Sequence, residues 1–381
     1  MGWSRLSDVD PSSLAHWRRV PLPEPCASFF PSYYHNLAIG QETQKLYTWG
    51  CGTFVEGGLE GVVPALGPHA HTDVGDPPQH VALDTSPKGQ HVKQVAGGAY
   101  HSIALTKDGT VYTFGAGQLG QLGRPMAKAQ NDKSGLPVDP VPRPIALPTP
   151  DKGDTPTSIS SGFYNTLVIG TSGSLYCCGE NQNKQCGTQN GIKNLTSLAK
   201  VTELAKDKVK NAQGGYCHTL IQTVAGKVLS MGCGEEGQRG DGRDMDTADR
   251  PVVSEVKLPS PATKALQIAA GANHSVVLGS DGNAYTFGAN DVGQCGPTAP
   301  YNGKSDLDDD EGDDSGNILA PTKIRLPPGV GKVVEVSAGY AHTLVQTESG
   351  RVFAFGESEN GQLGPPSASK QDFEVDMSSA L

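Results

Sequence analysis

Five of the ten histidines recur at one place in a repeating pattern, so a ring of imidazoles is the first chemistry to weigh. They are His35, His101, His218, His274 and His342, and Asn165 stands at the same place in one further unit. Imidazole nitrogens bind zinc, which makes a shared metal one interpretation. Asn165 suits a hydrogen bond better than a metal bond. We therefore expect these anchors to tie neighbouring strands together by hydrogen bonds, with no metal site.

A second group with metal-binding side chains lies in a Gly- and Pro-rich insertion. His69, His71 and Asp73 have a spacing compatible with weak binding of a transition metal. A solvated loop is the favoured interpretation of this insertion.

The most individual segment is acidic and reads SDLDDDEGDDSGN over residues 305–317. It resembles a calcium loop, but Gly312 comes one position too late and the twelfth position is Asn317 instead of Glu. We expect a disordered acidic loop over 299–320, and the alternative is a docking segment for a basic partner. Its docking residues would be Asp306, Asp308, Asp309, Asp310, Glu311, Asp313 and Asp314.

Motifs of known catalysts are missing from the sequence. It contains no G-x-x-x-x-G-K phosphate loop, no G-x-S-x-G nucleophile elbow and no H-E-x-x-H zinc motif. No acid and base pair stands out by its spacing. We therefore predict a protein with no catalytic residues and no cofactor.

The anchors belong to six units of nearly constant internal spacing. In five units a Gly lies 14 residues after the anchor; the anchor and Gly positions are 101 and 115, 165 and 179, 218 and 232, 274 and 288, and 342 and 356. In the first unit, with positions 35 and 50, this spacing is one residue longer. A second Gly follows at 58, 123, 187, 240, 296 and 364, with Gln two residues before it in five of the six. Such self-similarity predicts a repeat architecture.

Each unit predicts a small antiparallel sheet. Two runs of aliphatic and β-branched residues are separated by x-Gly pairs at 108–109, 172–173, 225–226, 281–282 and 349–350, with Thr43-Gln44 in the first unit. Glycine takes a positive φ without steric cost, so these pairs predict hairpin turns. One such sheet has two apolar faces, and stacking the sheets around an axis buries both.

The expected fold is all-β, a closed β-propeller forming one domain over residues 1–381, with six clear units and a seventh blade left open. Three segments are expected outside the blades: a Pro-rich surface insertion at 124–150, the acidic loop at 299–320 and a C-terminal tail at 365–381. Proline lacks an amide N–H, which predicts that the Pro-rich arm stays out of the sheets. A strand near residues 17–20 is expected to pair with the last blade.

Charge and targeting signals bear on partners and location. The formal net charge of −10 disfavours nucleic acid and anionic membranes as partners. Residues 1–25 lack the apolar core of a signal peptide, and no segment is apolar enough to cross a membrane. The eight cysteines contain no CxxC pair and are interpreted as small apolar residues in a reducing compartment. We expect a cytoplasmic protein; cytoskeletal, ciliary and nuclear locations are alternatives, and secretion is not expected.

The pattern Gly-x-x-His-[Ser/Thr]-x-x-[Leu/Val], followed by an x-Gly turn and a Gly-Gln-x-Gly end, resembles the regulator-of-chromosome-condensation (RCC1-type) repeat over residues 26–364. The resemblance implies a β-propeller. Members of that family include exchange factors for small GTPases, ligase adaptors, ciliary scaffolds and a plant photoreceptor that senses light with tryptophans. The corresponding positions here hold Tyr216, Ala272 and Tyr340, so photoreception is not implied.

Two functions follow from this resemblance and from the variable loops between the units. The first is a non-catalytic scaffold that binds protein partners as a subunit or adaptor of a larger assembly. The alternative is a guanine-nucleotide exchange factor for a small GTPase, which needs no acid or base because it displaces the nucleotide by wedging. Candidate wedges are the insertions at 124–150 and 57–90.

Overall fold

The computed structural model describes residues 20–50, 53–56, 59–62, 77–83, 91–126, 130–131, 137–148, 153–188, 191–243, 251–297, 316–359, 361–363 and 374–375. The chain divides into two compact units, Met1–Val209 and Lys210–Leu381. In the described residues, six antiparallel sheets have four or five strands, and we call them blades 1 to 6 in chain order; the first unit also contains a two-stranded sheet.

The first unit holds blades 1 to 3. Blade 1 consists of β1 (Cys26–Pro31), β2 (His35–Gly40), β3 (Leu46–Gly50) and, after a hairpin of β4 (Thr53–Glu56) and β5 (Leu59–Val62), β6 (Gln79–Val81). Blade 2 consists of β7 (Val92–Gly97), β8 (His101–Thr106), β9 (Val111–Ala116), β10 (Gln130–Asn131) and β11 (Pro137–Ile145). Blade 3 consists of β12 (Pro156–Ser161), β13 (Asn165–Gly170), β14 (Leu175–Glu180) and β15 (Asn194–Lys200), and a 3₁₀ turn at Thr202–Leu204 follows.

Blades 4 to 6 belong to the second unit, except for Val209, the first residue of blade 4. Blade 4 consists of β16 (Val209–Gly214), β17 (His218–Thr223), β18 (Val228–Gly232) and β19 (Val253–Val256). Blade 5 consists of β20 (Ala265–Ala270), β21 (His274–Gly279), β22 (Ala284–Gly288) and β23 (Ile318–Lys323). Blade 6 consists of β24 (Val333–Ala338), β25 (His342–Thr347), β26 (Val352–Gly356) and β27 (Glu374–Val375). The all-β propeller fold and the six predicted repeat units are confirmed.

The core of each unit lies between neighbouring blades. In the first unit, Leu37 and Ile39 of β2 pack with Val95 of β7 and Phe114 of β9. In the second, Leu220 of blade 4 packs in one cluster with residues of blade 5. The middle strands β8, β13, β17 and β21 have six buried residues in succession and are buried on both faces, whereas in β25 of blade 6 buried and partly exposed residues alternate. A single blade could not bury both of these faces, because each face needs a neighbouring sheet.

The Pro-rich insertion departs from its prediction. Pro137–Ile145 enters blade 2 as β11, paired with β9 on one side and at its start with β10 on the other. The prolines at 140, 142 and 144 alternate, so the N–H groups that they lack lie along one edge of the strand. The ladder to β9 is interrupted between Asp139 and Arg143 and then resumes. The expectation that this arm stays outside the sheets is therefore wrong.

A second difference from the predicted fold concerns the strand that pairs with β26 in blade 6. The strand beside β26 is β27, which comes from the segment expected to be a tail. The strand expected near residues 17–20 lies outside the described residues, except for Val20, which has no strand conformation.

Four cysteines form pairs that the sequence did not suggest. Cys177 pairs with Cys186 and Cys217 with Cys233, with Cα–Cα distances of 5.3 and 5.5 Å. Cys217 directly precedes β17 and Cys233 directly follows β18, so the hairpin brings the two together across sixteen residues. Cys178 and Cys295 are buried thiols, and burial raises the pKa of each to about 12.

Candidate interaction surface

Each of four anchor histidines forms a hydrogen bond to the next blade of its own unit. His35 Nε2 lies 2.8 Å from Ser102 Oγ, and His101 Nε2 lies 3.1 Å from Thr166 Oγ1. In the second unit, His218 Nε2 lies 3.0 Å from Ser275 Oγ and His274 Nε2 lies 2.9 Å from Thr343 Oγ1. The hydroxyl group is the Ser or Thr that follows the anchor of the next repeat.

The hydroxyl groups determine which imidazole nitrogen carries the proton. Thr166 Oγ1 donates to the main-chain oxygen of Gln121 at 2.8 Å, and Thr343 Oγ1 donates to that of Gln294 at 2.7 Å. Ser275 Oγ donates to Gln238 in the same way. A hydroxyl has one proton to give, so it must accept from the histidine, and Nε2 carries the hydrogen. The Gln of the Gly-Gln-x-Gly end and the anchor histidine of the same repeat thus bond to the same hydroxyl of the next blade.

Burial keeps these imidazoles neutral. It lowers the pKa of His35 and His218 to about 3 and that of His101 and His274 to about 4, because a charged ring is poorly solvated there. His342 is less buried, and its pKa is lowered for the same reason. At Asn165 the side-chain oxygen instead accepts from the amide of Gly162, at 2.8 Å within its own turn. The four histidines His35, His101, His218 and His274, each bonded to a hydroxyl of the next blade, are interblade pins.

The glycine three residues before the anchor leaves room for the imidazole ring. A Cβ on Gly271 would lie 2.1 Å from His274 Cε1 and 2.7 Å from the carbonyl oxygen of Gly339. Gly98 and Gly215 are equally close to their own anchors. This contact explains the Gly-x-x-His pattern by packing.

The two residues before each anchor form what we call the inner turns, at 33–34, 99–100, 163–164, 216–217, 272–273 and 340–341; Ser32 takes the place of the glycine in the first unit. Main-chain hydrogen bonds join the inner turns of blades 2 and 3 and those of blades 4, 5 and 6. Ala99 N donates to Phe163 O at 3.0 Å in the first unit. In the second, Tyr216 N donates to Ala272 O and Ala272 N to Tyr340 O, each at 2.9 Å. The backbone therefore presents the side chains of these turns in fixed positions.

The inner turns of the first unit carry five aromatic residues, which we call the aromatic cluster: Tyr33, Tyr34, Tyr100, Phe163 and Tyr164. Tyr34 and Tyr100 stack with ring centroids 5.0 Å apart, and Tyr33 lies 5.1 Å from Phe163. Tyr100 is buried against Ala99 and Ala116, while Tyr33 is 43% exposed. The inner turns of the second unit hold Tyr216 and Cys217, Ala272 and Asn273, and Tyr340 and Ala341.

The residue that follows the Gly at or near the end of the third strand lies beside the inner turn. Its amide donates to the main-chain oxygen of the residue before the anchor: Ala116 to Tyr100, Glu180 to Tyr164, Ala289 to Asn273 and Glu357 to Ala341, at 2.8 to 2.9 Å. Glu180 is half-buried, and burial raises the pKa of its carboxyl group. The main chain of a half-buried glutamate is therefore bonded to Tyr164 of the aromatic cluster.

The other predicted sites have different outcomes. The acidic docking residues at 306–314, together with His69, His71 and Asp73, lie outside the described residues, and those proposals stay predictions. Within the described ranges, no three His, Cys, Asp or Glu side chains group to hold a metal ion. The same ranges contain no helix that is long and apolar enough to span a membrane.

Sequence reasoning missed the aromatic cluster, although its signal was present. Tyr34, Tyr100 and Tyr164 each directly precede an anchor, and Phe163 adds a fourth ring to the same turns. Their position in the repeat was visible, but their meeting depends on how blades 1 to 3 stand side by side.

Six four- or five-stranded blades, with equivalent histidines bonded to the next blade at four of the six anchors, define a tandem-repeat β-propeller. The chain matches the RCC1-like domain over residues 10–304 and the regulator of chromosome condensation (RCC1) repeat over 281–346 and 333–362. It therefore belongs to the RCC1-like domain family.

Several curated proteins are similar in sequence. Ultraviolet-B receptor UVR8 of Arabidopsis thaliana is 29% identical, over 87% of this chain and 64% of the receptor. The secretion-regulating guanine nucleotide exchange factor of Bos taurus is 26% identical, over 74% of this chain and 56% of that protein. The regulator of chromosome condensation of Xenopus laevis is 38% identical, over 39% and 30%. The chain spans less than two thirds of each of these proteins.

Two solved structures are similar in fold. Human WBSCR16 superposes with a TM-score of 0.70 at 20% identity, over 90% of this chain and 79% of the other. Prp20p of Saccharomyces cerevisiae superposes with a TM-score of 0.69 at 23% identity, over 89% and 74%. Both likenesses support the propeller fold.

Proposed function

We propose that this chain is a non-catalytic protein-interaction module that docks a partner on the aromatic cluster. The observation behind the proposal is that the inner turns of the first unit are aromatic where the fold does not require it. Ala272 and Asn273 occupy the same positions in blade 5 and form the same backbone hydrogen bonds. A blade can therefore form these turns without aromatic side chains.

The chemistry of the cluster suits protein recognition. Tyrosine and phenylalanine are enriched at protein interfaces, because they offer large apolar area and few rotatable bonds. Tyr33 is exposed over 43% of its surface while its ring packs against Tyr34 and Phe163. The neighbouring turns hold the backbone in place, so a partner meets a preorganised surface.

The test is affinity purification of the full chain from its source organism, with proteins quantified by mass spectrometry. We would compare the native chain with Tyr33→Ser/Phe163→Ser and with the control Val224→Ser. Val224 is 65% exposed and lies in a hairpin turn at the far end of β17, away from the inner turns. The proposal requires partners that the double variant loses and the control keeps. Equal capture by all three would exclude the cluster as the docking site.

Guanine-nucleotide exchange on a small GTPase is the second candidate. Its support is the similarity, over 74% of this chain, to a secretion-regulating guanine nucleotide exchange factor. The assay follows release of fluorescent GDP from a panel of small GTPases. Acceleration of one member by the native chain supports exchange, and no acceleration across the panel rejects it.

A further inference from the structure

We propose that the aromatic cluster receives an arginine or lysine side chain of a partner peptide, with the Glu180 carboxylate as its counter-charge. This inference rests on the proposed function and names the chemistry of the partner. It is carried by the position of Glu180 beside the cluster and by comparison of the repeats.

The repeats show that a carboxylate is not required at this position. Ala116 and Ala289 occupy it in blades 2 and 5, where both are buried and form the same main-chain hydrogen bond. Ala116 packs in the aromatic cluster itself. A glutamate that replaces alanine at such a place must be partly desolvated, which disfavours folding unless the charge serves another purpose.

Within the described part of the chain, the Glu180 side chain has no ion pair or hydrogen bond. Desolvation is the one cause that raises its pKa, so no neighbouring cation offsets it. Glu357 differs, since it lies close enough to His342 to raise the pKa of that imidazole. Glu180 is thus a half-buried negative group that a cation from outside would stabilise.

The aromatic rings favour the same ligand. Their faces carry partial negative charge and attract guanidinium and ammonium groups. Arginine also stacks flat on such rings while donating to a carboxylate. The net charge of −10 adds a longer-range attraction for basic partners. An apolar or acidic peptide would leave the Glu180 charge uncompensated.

The experiment begins with random linear peptides displayed on phage and selected on the full chain. Counter-selection on Tyr33→Ser/Phe163→Ser keeps those that need the aromatic cluster. We expect the enriched peptides to share an arginine or lysine. If no peptide depends on the cluster, the proposed docking function fails together with this inference. If cluster-dependent peptides are apolar or acidic, only the inference fails.

Fluorescence anisotropy with one enriched synthetic peptide then tests the role of Glu180. Glu180→Gln should weaken binding by about tenfold, as should replacing the essential arginine by neutral citrulline. Combining both changes should weaken binding by much less than the product of the two effects. Glu357→Gln is the matched control at the same repeat position and should bind like the native chain. Thermal unfolding of each variant checks folding, which the alanines of blades 2 and 5 indicate will be retained.

Equal affinity of the Glu180→Gln variant and the native chain, or independent effects of the two changes, would overturn the inference. Both outcomes would still be compatible with docking on the aromatic cluster.

Discussion

Acidification from pH 7 to pH 5 should strongly destabilise this chain through its buried interblade histidines. His35, His101, His218 and His274 have pKa values of about 3 to 4 in the folded chain, against a usual 6.5. Between these values the unfolded chain binds a proton at each site and the folded chain does not. The contribution to stability is therefore fully present well above pH 6.5 and is lost as the pH falls through 6.5 toward 3 to 4.

The size of the effect follows from the pKa differences. For one histidine, moving from pH 7 to pH 5 lowers the free energy of unfolding by about 1.9 kcal/mol, so the four together lose about 7 kcal/mol. Domains have a total free energy of unfolding of about 5–15 kcal/mol, so this loss is a large fraction of the total. Glu24 and Asp154 have pKa values lowered to about 2, and their contributions are lost mainly below this pH range.

Urea unfolding followed by circular dichroism at several pH values measures the effect. Near pH 5.5 the free energy of unfolding of the native chain should fall by about 5 kcal/mol for each pH unit of acidification, which corresponds to almost four protons taken up on unfolding. The variant His101→Asn/His274→Asn uses the residue that stands at position 165. It should be less stable at pH 7, because two interblade bonds are lost, and its slope should fall to about half. A slope that does not change would refute the assignment of the acid sensitivity to these pins.

Three further predictions concern contacts that hold neighbouring blades together, each measured as a change in the urea midpoint. Gly271→Ala should lower the free energy of unfolding by about 2–4 kcal/mol, since its Cβ would lie 2.1 Å from His274 Cε1. In the control Gly350→Ala the new Cβ meets open space, and the φ of 81° alone should lower it by about 1 kcal/mol. Thr343→Val should lose about 2–3 kcal/mol, because His274 Nε2 and the Gln294 oxygen would both lose their partner, and a neutral result would count against the pin. Gln94→Ala removes two hydrogen bonds to the main chain of Ile159, at 2.7 and 3.0 Å, and should lose about 1–3 kcal/mol, whereas exposed Lys93→Ala should change stability little.

Much of the fold could be predicted from the repeat register. The six anchors, the spacing to each closing Gly and the x-Gly turns predict six hairpins, and β2 with β3, or β8 with β9, form where the apolar runs place them. These features are local, because a strand, its turn and its partner strand lie within about fifteen residues. The hydrogen-bonding role of the anchors could also be expected, since an asparagine replaces one of them.

The candidate surface could not be predicted in the same way. The sequence shows that Tyr34 and Tyr100 hold equivalent positions, but not that their rings stack across 66 residues of chain. The strand formed by Pro137–Ile145 was hidden, because proline composition disfavours a strand while alternate spacing allows one edge to pair.

The sequence by itself determined the blade: its strands, its turns and the buried face of each, since these depend on short-range periodicity and on glycine at positions of positive φ. The tertiary structure decided what neighbouring blades do to one another within each unit. The packing of the blades determines which hydroxyl bonds to each of the four interblade histidines. It also brings five aromatic rings together, with the main chain of Glu180 next to them. Such contacts join residues that are far apart along the chain, and only the packing of one apolar sheet face on the next determines which of them meet.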